Sequence, residues 1–402
     1  MSEKRIFFAF QKFPGTISYT SCPLYFIMSI ENPLSDPELF ASLSKHFSNT
    51  DVLIKPIGSG IHAAGFIGFL STEPDKYDEN IFIRRIGLLG FGHELPPARL
   101  ASMLEAREAL PNTLKTHAIL LISPDGTITE IPSFAEAVTI SQLLPHDAEH
   151  MGTFMRQPQS SKEGHEKLAE QVHPIAEAMT ELMAAIHAMK FEGDREYAAS
   201  LYQRATRAII HDPELTAGVI DFANPPTQWM SHEDGVLLIA DMERVRHTYG
   251  IHPERLCHIH GDFWTNNTYR KPNGELIITD RRLILGDPAT DAGWVIGEFL
   301  MQDLVRFGAF GNGFTKAIED AMHMYVEKTG DMDIYRYMHL PYAFQTLAEA
   351  TFTPDITDGQ RRLIFATGVG ALQDGMNHIP FDFHRLNIYT QNGIDRLKSS
   401  HP

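Results

Sequence analysis

His260-Gly261-Asp262-Phe263-Trp264-Thr265-Asn266-Asn267, followed by Asp280 and by Gly286-Asp287-Pro288-Ala289-Thr290-Asp291, is the stretch from which the rest of the chain can be read. A short apolar segment, Leu256 to Ile259, precedes it, and a second, Leu276 to Ile278, leads into Asp280. Short apolar runs bounded by turn-forming residues are read as strands. Two strands then deliver Asp262, Asn267 and Asp280 to one place. A carboxylate near an attacking hydroxyl, with an amide oxygen and a second carboxylate on a divalent cation, is the layout that phosphoryl transfer requires. The plain alternative is a polar loop whose carboxylates serve as turn formers.

His260-Gly261-Asp262 with Asn267, then Asp280, then Gly286-Asp287-Pro288 with Asp291, resembles the aminoglycoside phosphotransferase and choline kinase family, the small-molecule branch of the protein-kinase-like fold. A lone His-Gly-Asp would carry little; here several elements recur in order. The resemblance implies an α+β, two-lobed protein-kinase-like fold with a small antiparallel-sheet N-lobe over residues 28–137. A large, mostly helical C-lobe over 138–402 would hold the catalytic and metal-binding loops and the acceptor site. It implies ATP as phosphoryl donor, Mg2+ as cofactor and a small-molecule hydroxyl as acceptor. Asp262 would accept the hydroxyl proton and orient the oxygen, while Asn267 and Asp280 bind Mg2+. His260 would brace the loop through hydrogen bonds. Asp287 and Asp291 would fix it, Asp291 through backbone amides of the catalytic loop, or either would touch a cationic acceptor. The chain departs from the family pattern after Asp280, where Arg281-Arg282 replace the usual aromatic and acid. Two guanidinium groups facing a metal site would weaken Mg2+; the alternatives are pairing with Asp287 or Asp291, or with an anionic part of the acceptor.

The chain has 402 residues, enough for two lobes and a sizeable core. An apolar fraction of 43% and a charged fraction of 21% are those of an ordinary globular protein. With 51 acidic against 34 basic residues the formal net charge is −17, which repels nucleic acid and anionic lipid and draws cationic ligands. Cys22 and Cys257 are the only cysteines, too few for a disulfide framework or a structural zinc site, and a cytoplasmic setting is expected. No apolar run is long enough to span a membrane. Lys4-Arg5 before Ile6 to Phe10 faintly resembles a leader, but Gln11 and Lys12 interrupt it. Residues 1–27 are expected to be an extension with little fixed structure.

Ser35-Asp36-Pro37-Glu38 is a helix start, and the helix is expected to reach about Phe47. From Val52 a strand leads to Ile57-Gly58-Ser59-Gly60 and on to Gly65, before Phe66 to Leu70. Such a hairpin can lay backbone amides over phosphates, with Gly58 and Gly60 permitting close approach; its spacing departs from the usual kinase pattern by one added residue before the third glycine. Ile81 to Ile86 is the next strand, and alternation places Arg84 and Arg85 on opposite faces. By the resemblance, Arg84 reaches the α/β-phosphates and pairs with a glutamate on the helix Leu100 to Leu110; Glu105 is preferred to Glu108. Strands at Ala118 to Ile122 and Thr127 to Ile131 would complete five, and a connector over about 132–137 would face the adenine.

Apolar residues of the helix expected over 162–189 recur at one-face offsets, from Val172 through Met179 and Met183 to Ile186. His187 at its end is read as a structural histidine bonded between this helix and the catalytic strands. Helices are also expected over about 197–210, 234–249, 294–304, 315–328, 338–352 and 361–376. Glu298, Asp303, Glu319, Asp320, Glu349, Asp355 and Asp374 could face an acceptor pocket, although most are expected to be solvated acids. Two other readings compete with a small-molecule kinase. One is a nucleotide-binding pseudokinase with a regulatory role, against which the full set Asp262, Asn267 and Asp280 argues. The other is a phosphohydrolase, which lacks an aspartyl nucleophile motif and leaves the glycine hairpin and Arg84 unexplained.

Overall fold

The computed structural model describes residues 36–46, 51–59, 63–71, 79–86, 117–122, 125, 127–129, 136–142, 148–189, 194–210, 229–279, 284–353 and 356–399. The expected extension over 1–27, Gly60, the helix with Glu105 and Glu108, Asp280-Arg281-Arg282 and Asp355 lie outside the described residues. Helices predominate, joined to small antiparallel sheets, which makes the fold α+β. No helix among the described residues is long and apolar enough to cross a membrane.

Helix α1 (Asp36–His46) leads into a six-stranded sheet built from β1 (Asp51–Ser59), β2 (Ala63–Ser71), β3 (Glu79–Ile86), β4 (His117–Ile122), β5 (Ile128–Thr129) and β6 (Glu136–Gln142). The strand order is β1-β2-β3-β6-β4-β5, every pair antiparallel. β1 and β2 form the expected hairpin, Gly58 opposite Gly65, with a register shift between Pro56 and Gly58. In β3, Arg84 stands between Gly65 and Thr139, and Arg85 between Ala64 and Val138. β6 corrects the sequence reading. The connector expected over about 132–137 lies outside the described residues up to 135; from Glu136 the chain is a strand that runs to Gln142 and sits inside the sheet between β3 and β4. Val138 and Ile140 alternate with Thr139 and Ser141, the two-residue period of a strand. The sheet therefore extends past the expected boundary at 137.

A short strand β7 (Glu149–His150) and the one-turn helix α2 (Met151–Met155) lead into α3 (Lys162–His187), capped by Ser161, which accepts from the Gly164 amide. The expected stripe is buried: Val172, Ile175, Met179, Met183 and Ile186 are at most 2% exposed, each contributing about 1.5–3 kcal/mol by burial. α4 (Arg195–Ile210) and α5 (His232–Tyr249) follow, α5 opening on a capping box between Ser231 and Asp234. Four short strands then carry the motif: β8 (Cys257–Ile259), β9 (Thr268–Arg270), β10 (Leu276–Ile278) and β11 (Ile284–Gly286). The remainder is helical: α6 (Ala289–Phe307), α7 (Gly313–Thr329), α8 (Ile334–Tyr337), α9 (His339–Phe352), α10 (Asp358–Met376) and α11 (Leu386–Ser399). One apolar core runs through α3, α6, α7, α9 and α10.

α11 is absent from the sequence reading, and Asn392-Gly393 within it has the composition of a turn. Its glycine serves a different purpose. A Cβ on Gly393 would stand 1.7 Å from the Ala366 carbonyl oxygen, and one on Gly370 would stand 1.8 Å from that of Tyr389. α10 and α11 cross with backbones in contact, which only glycine allows.

Candidate active site

The strands at the motif pair differently from the simplest reading. β8 pairs antiparallel with β11, Ile259 opposite Ile284 and Cys257 opposite Gly286. β10 folds back on β9 through a Pro272-Asn273-Gly274 turn, with Gly274 at φ 85°, and β9 also pairs with β7. Leu276 to Ile278 is thus the far arm of a hairpin, and Ile284 to Gly286, too short for its periodicity to stand out, is the neighbour of the first strand. The Thr279 amide donates to the Asn267 carbonyl at 2.8 Å, so the chain entering Asp280 runs beside Asn267. Asp280 itself lies outside the described residues.

One carboxylate organises the loop. Asp291, in the first turn of α6, is fully buried. Its Oδ2 accepts the His260 backbone N–H at 2.7 Å and its Oδ1 accepts the Gly261 N–H at 2.9 Å. Gly261 holds φ at 81°, a conformation glycine adopts without a side-chain clash, and this turns both amides toward one acceptor. His187 at the end of α3 places Nε2 3.1 Å from Asp291 Oδ2 and Nδ1 2.8 Å from the Tyr325 hydroxyl of α7. Burial alone would raise the Asp291 pKa; His187 and the amide bonds outweigh it and hold the carboxyl below its ordinary value. Asp291 binds the loop amides as expected; His187 is structural, but its partners are Asp291 of α6 and Tyr325 of α7, and it reaches the catalytic loop only through Asp291.

From this anchor the loop turns outward. The Asp262 amide donates to His260 Nδ1 at 3.2 Å, and His260 Nε2 lies 3.0 Å from the Thr279 carbonyl. With Nδ1 accepting, Nε2 carries the hydrogen, so the ring links the loop to the end of β10 as a brace. Asp262 is half-buried beyond it. Asn267 donates its amide nitrogen to the Asp262 carbonyl at 2.9 Å, which leaves its amide oxygen as the atom a hard cation could take. The structure brings Asp262 and Asn267 together.

Asp287 is held by Arg255, while Arg281 and Arg282 lie outside the described residues. Arg255 donates Nε and Nη2 to its two oxygens at 2.8 and 3.1 Å, Nη1 and Nη2 to Asp331 at 2.8 and 3.1 Å, and lies 4.3 Å over the Tyr337 ring. Asp287 also accepts the Ala289 amide at 2.9 Å, closing the turn that leads into α6. Asp287 and Asp291 are therefore both engaged within the protein.

Most of the acids expected to be solvated are not. Glu298, Asp303, Glu349 and Asp374 are at most 3% exposed, while Glu319 and Asp320 are partly exposed. Asp303 binds the amides of Asn312, Phe314 and Thr315 at the start of α7, and Asp374 pairs with Arg385 at 2.7 Å. Glu298 lies directly under the loop, where its carboxylate accepts the Thr265 amide at 2.7 Å and the Thr265 hydroxyl. Arg156 stands 3.5 Å from Glu298 and 3.9 Å from Glu349, and donates to Asn266 Oδ1 at 3.1 Å. His150 Nε2 lies 2.8 Å from the Asn266 carbonyl. Sequence reasoning missed His150 and Arg156, which sit over 100 residues from the loop they touch and carry no motif.

Of the N-terminal candidates, Gly58 and Arg84 occupy the strand positions given above; Gly60 and Glu105 lie outside the described residues. No family model and no curated protein matches the chain. Among solved structures it is similar to spectinomycin phosphotransferase in complex with ADP and spectinomycin, 11% identical over 90% of this chain and 100% of that one, with a TM-score of 0.43. It is similar also to an amicoumacin kinase in complex with AMP-PNP and Ca2+, 10% identical over 88% of this chain and 100% of that one, TM-score 0.44. Choline kinase from Cryptosporidium parvum Iowa II is 12% identical over 90% of this chain and 96% of that one, with a TM-score of 0.39.

Proposed function

We propose that the chain is an ATP-dependent phosphotransferase that moves the γ-phosphoryl group to a hydroxyl of a small molecule, on a two-lobed, protein-kinase-like framework. The observation that carries this is the buried Asp291 carboxylate, which binds the amides of His260 and Gly261 and is itself held by His187. A surface turn has no use for so costly a support; a loop that must hold a carboxylate and an amide oxygen in fixed relation does. Asp262 is the catalytic residue: its carboxylate takes the acceptor's hydroxyl proton as the new O–P bond forms and the bond to the departing ADP oxygen breaks. Asn267 and Asp280 would supply the hard oxygen donors that Mg2+ takes. When bound, the cation supplies charge neutralisation at the phosphates. In this reading the six-stranded sheet would cover the nucleotide, Gly58 and Gly60 would lie at the phosphates, and Arg84 would reach them and pair with Glu105.

The acceptor class is an amine-bearing alcohol. Trp264, Trp294 and Phe344, all half-buried, form a continuous aromatic wall beside the loop, ring centroids 6.4 and 5.6 Å apart in sequence, and such faces attract cations. The indole nitrogen of Trp264 is buried with no hydrogen-bond partner among the described residues. The experiment is ATP turnover with and without Mg2+ across a panel of amino alcohols and neutral sugars, comparing Asp262→Asn with the wild type. Transfer that needs Mg2+ and is lost in Asp262→Asn with nucleotide binding retained supports the reading. Nucleotide binding with no turnover would instead favour the pseudokinase.

A further inference from the structure

Two buried carboxylates share one guanidinium beneath the loop, and the loop is tied to both ends of that arrangement. Glu298 comes from α6, Glu349 from α9, and Arg156 from the segment after α2. Glu298 and Glu349 are at most 2% exposed. Arg156 divides its two terminal nitrogens: Nη1 donates to Asn266 Oδ1, and Nη2 lies between the two carboxylates. Its Nε is buried with no partner among the described residues, so nothing else fixes the fork. Glu349 is also bound by Gln345 Nε2 at 2.9 Å and by the Thr353 hydroxyl, and Glu298 by Thr265. Two ionised carboxylates against one guanidinium leave a buried negative charge without compensation; one proton on the pair removes it.

We propose that Glu298 and Arg156 are positioning residues for the 262–267 loop, and that Glu349 behind them governs how Arg156 divides itself between the loop and the core. The kinetic part of this rests on the phosphotransferase reading; the geometric part does not. With one proton on the pair, Glu298 holds Thr265, and Arg156 holds both Glu298 and Asn266. Ionisation of Glu349 draws Nη2 away from Glu298 and turns the fork, slackening the bond to Asn266. Asn266 immediately precedes Asn267, so the displacement falls on the residue that orients the Asp262 carbonyl. Glu349 is the member that takes the proton. Its hydrogen-bond partners are a hydroxyl and a side-chain amide, with Arg156 at 3.9 Å, whereas Glu298 accepts a backbone N–H and has Arg156 at 3.5 Å. Burial pushes Glu349 up to about 7, Glu298 adding to the rise while Thr353, Arg156 and Gln345 oppose it. The other charged groups facing this corner are His150 from β7, near Glu298, and Arg361 from α10, whose guanidinium is engaged by the carbonyls of Ala350, Thr351 and Thr353.

The test uses the full chain and its own fluorescence. Of its three tryptophans, Trp264 adjoins Thr265 and packs on Trp294, while Trp229 is buried against Phe365. Emission of the wild type, titrated across the neutral range, is expected to show a one-proton transition that Trp264→Phe removes. Glu349→Gln, which mimics the protonated carboxyl, is expected to hold the low-pH emission throughout. In turnover, Glu298→Gln is expected to lower kcat about tenfold or more with KM for ATP nearly unchanged, and Glu349→Gln to flatten the alkaline fall of kcat. A neutral transition that persists in Glu349→Gln overturns the proposal, as does a Glu298→Gln variant with wild-type kcat. If the transition is present and vanishes in Glu349→Gln while no phosphoryl transfer is found, the functional reading fails and the loop support stands. Transfer with pH-independent emission removes the loop support alone.

Discussion

Asp291→Asn is a near-isosteric change whose cost can be worked from the hydrogen-bond inventory. Three nitrogens converge on two oxygens: His260 N–H and His187 Nε2 on Oδ2, and Gly261 N–H on Oδ1. An asparagine has one acceptor oxygen, and its amide nitrogen can only donate. With the oxygen in the Oδ2 place, the NH2 group faces the Gly261 N–H across 2.9 Å; with the oxygen in the Oδ1 place, it faces the His260 N–H across 2.7 Å. Either way one buried backbone donor is left unmade, at about 1–3 kcal/mol, and the surviving bonds lose their charge-assisted share, about 1 kcal/mol more each. The expected loss of stability is about 3–5 kcal/mol. Urea unfolding followed by both circular dichroism and tryptophan emission measures it, coincident transitions being required before the midpoints are compared. A loop displaced by even 1 Å should also cost about 100-fold in turnover. A stability loss below about 1 kcal/mol would refute the reasoning, because the three donors would then be satisfied without the carboxylate.

Three further outcomes are expected. Arg255→Lys keeps the charge but cannot bind Asp287 and Asp331 each through two bonds, and should lose about 2–4 kcal/mol in the same unfolding assay. Gly370→Ala places a methyl 1.8 Å from the Tyr389 carbonyl oxygen, so α10 and α11 must part; loss of α11 protection in hydrogen exchange, with the Asp291 hub unaffected, is the expected sign. Stability against pH should separate two buried groups of opposite sign. Glu349 is raised from 4.5 to about 7, so its contribution is present at low pH and lost as pH rises through that window; His339 is lowered from 6.5 to about 4 by burial, so its contribution is present above 6.5 and lost as pH falls. The two oppose each other between about 4.5 and 6.5, and Glu349→Gln should gain on the wild type with rising pH, by about 3 kcal/mol at pH 7. A constant difference across that range would contradict the placement of the proton.

What could be read from the residues was local or regular. The α3 stripe, the start of α1 and the β1–β2 hairpin follow from short-range rules, and each stands where it was expected. The roles of His260 and Asp291 came from a motif, and the geometry displays both. Three things escaped for physical reasons. β6 alternates over too few residues to outweigh the proline before it. Asn392-Gly393 has the composition of a turn, and only the partner helix explains why a glycine is needed mid-helix. The partners of Glu298 and Glu349 lie up to 200 residues away, and no local pattern tells a buried, paired acid from a solvated one.

The Asp291 hub also bears on how the chain folds. Its hydrogen bonds join residues 104 and 31 positions apart, and Tyr325 extends the set by a further helix. The set is complete only when α3, β8, α6 and α7 have all been brought together, and the chain entropy of the longer closures is spent before the carboxylate is fully satisfied. The loop over 260–267 is therefore expected to become ordered late in folding, after the helices have docked. A ribosome-bound chain that ends before residue 291 should carry a collapsed helical intermediate whose loop amides still exchange freely with solvent.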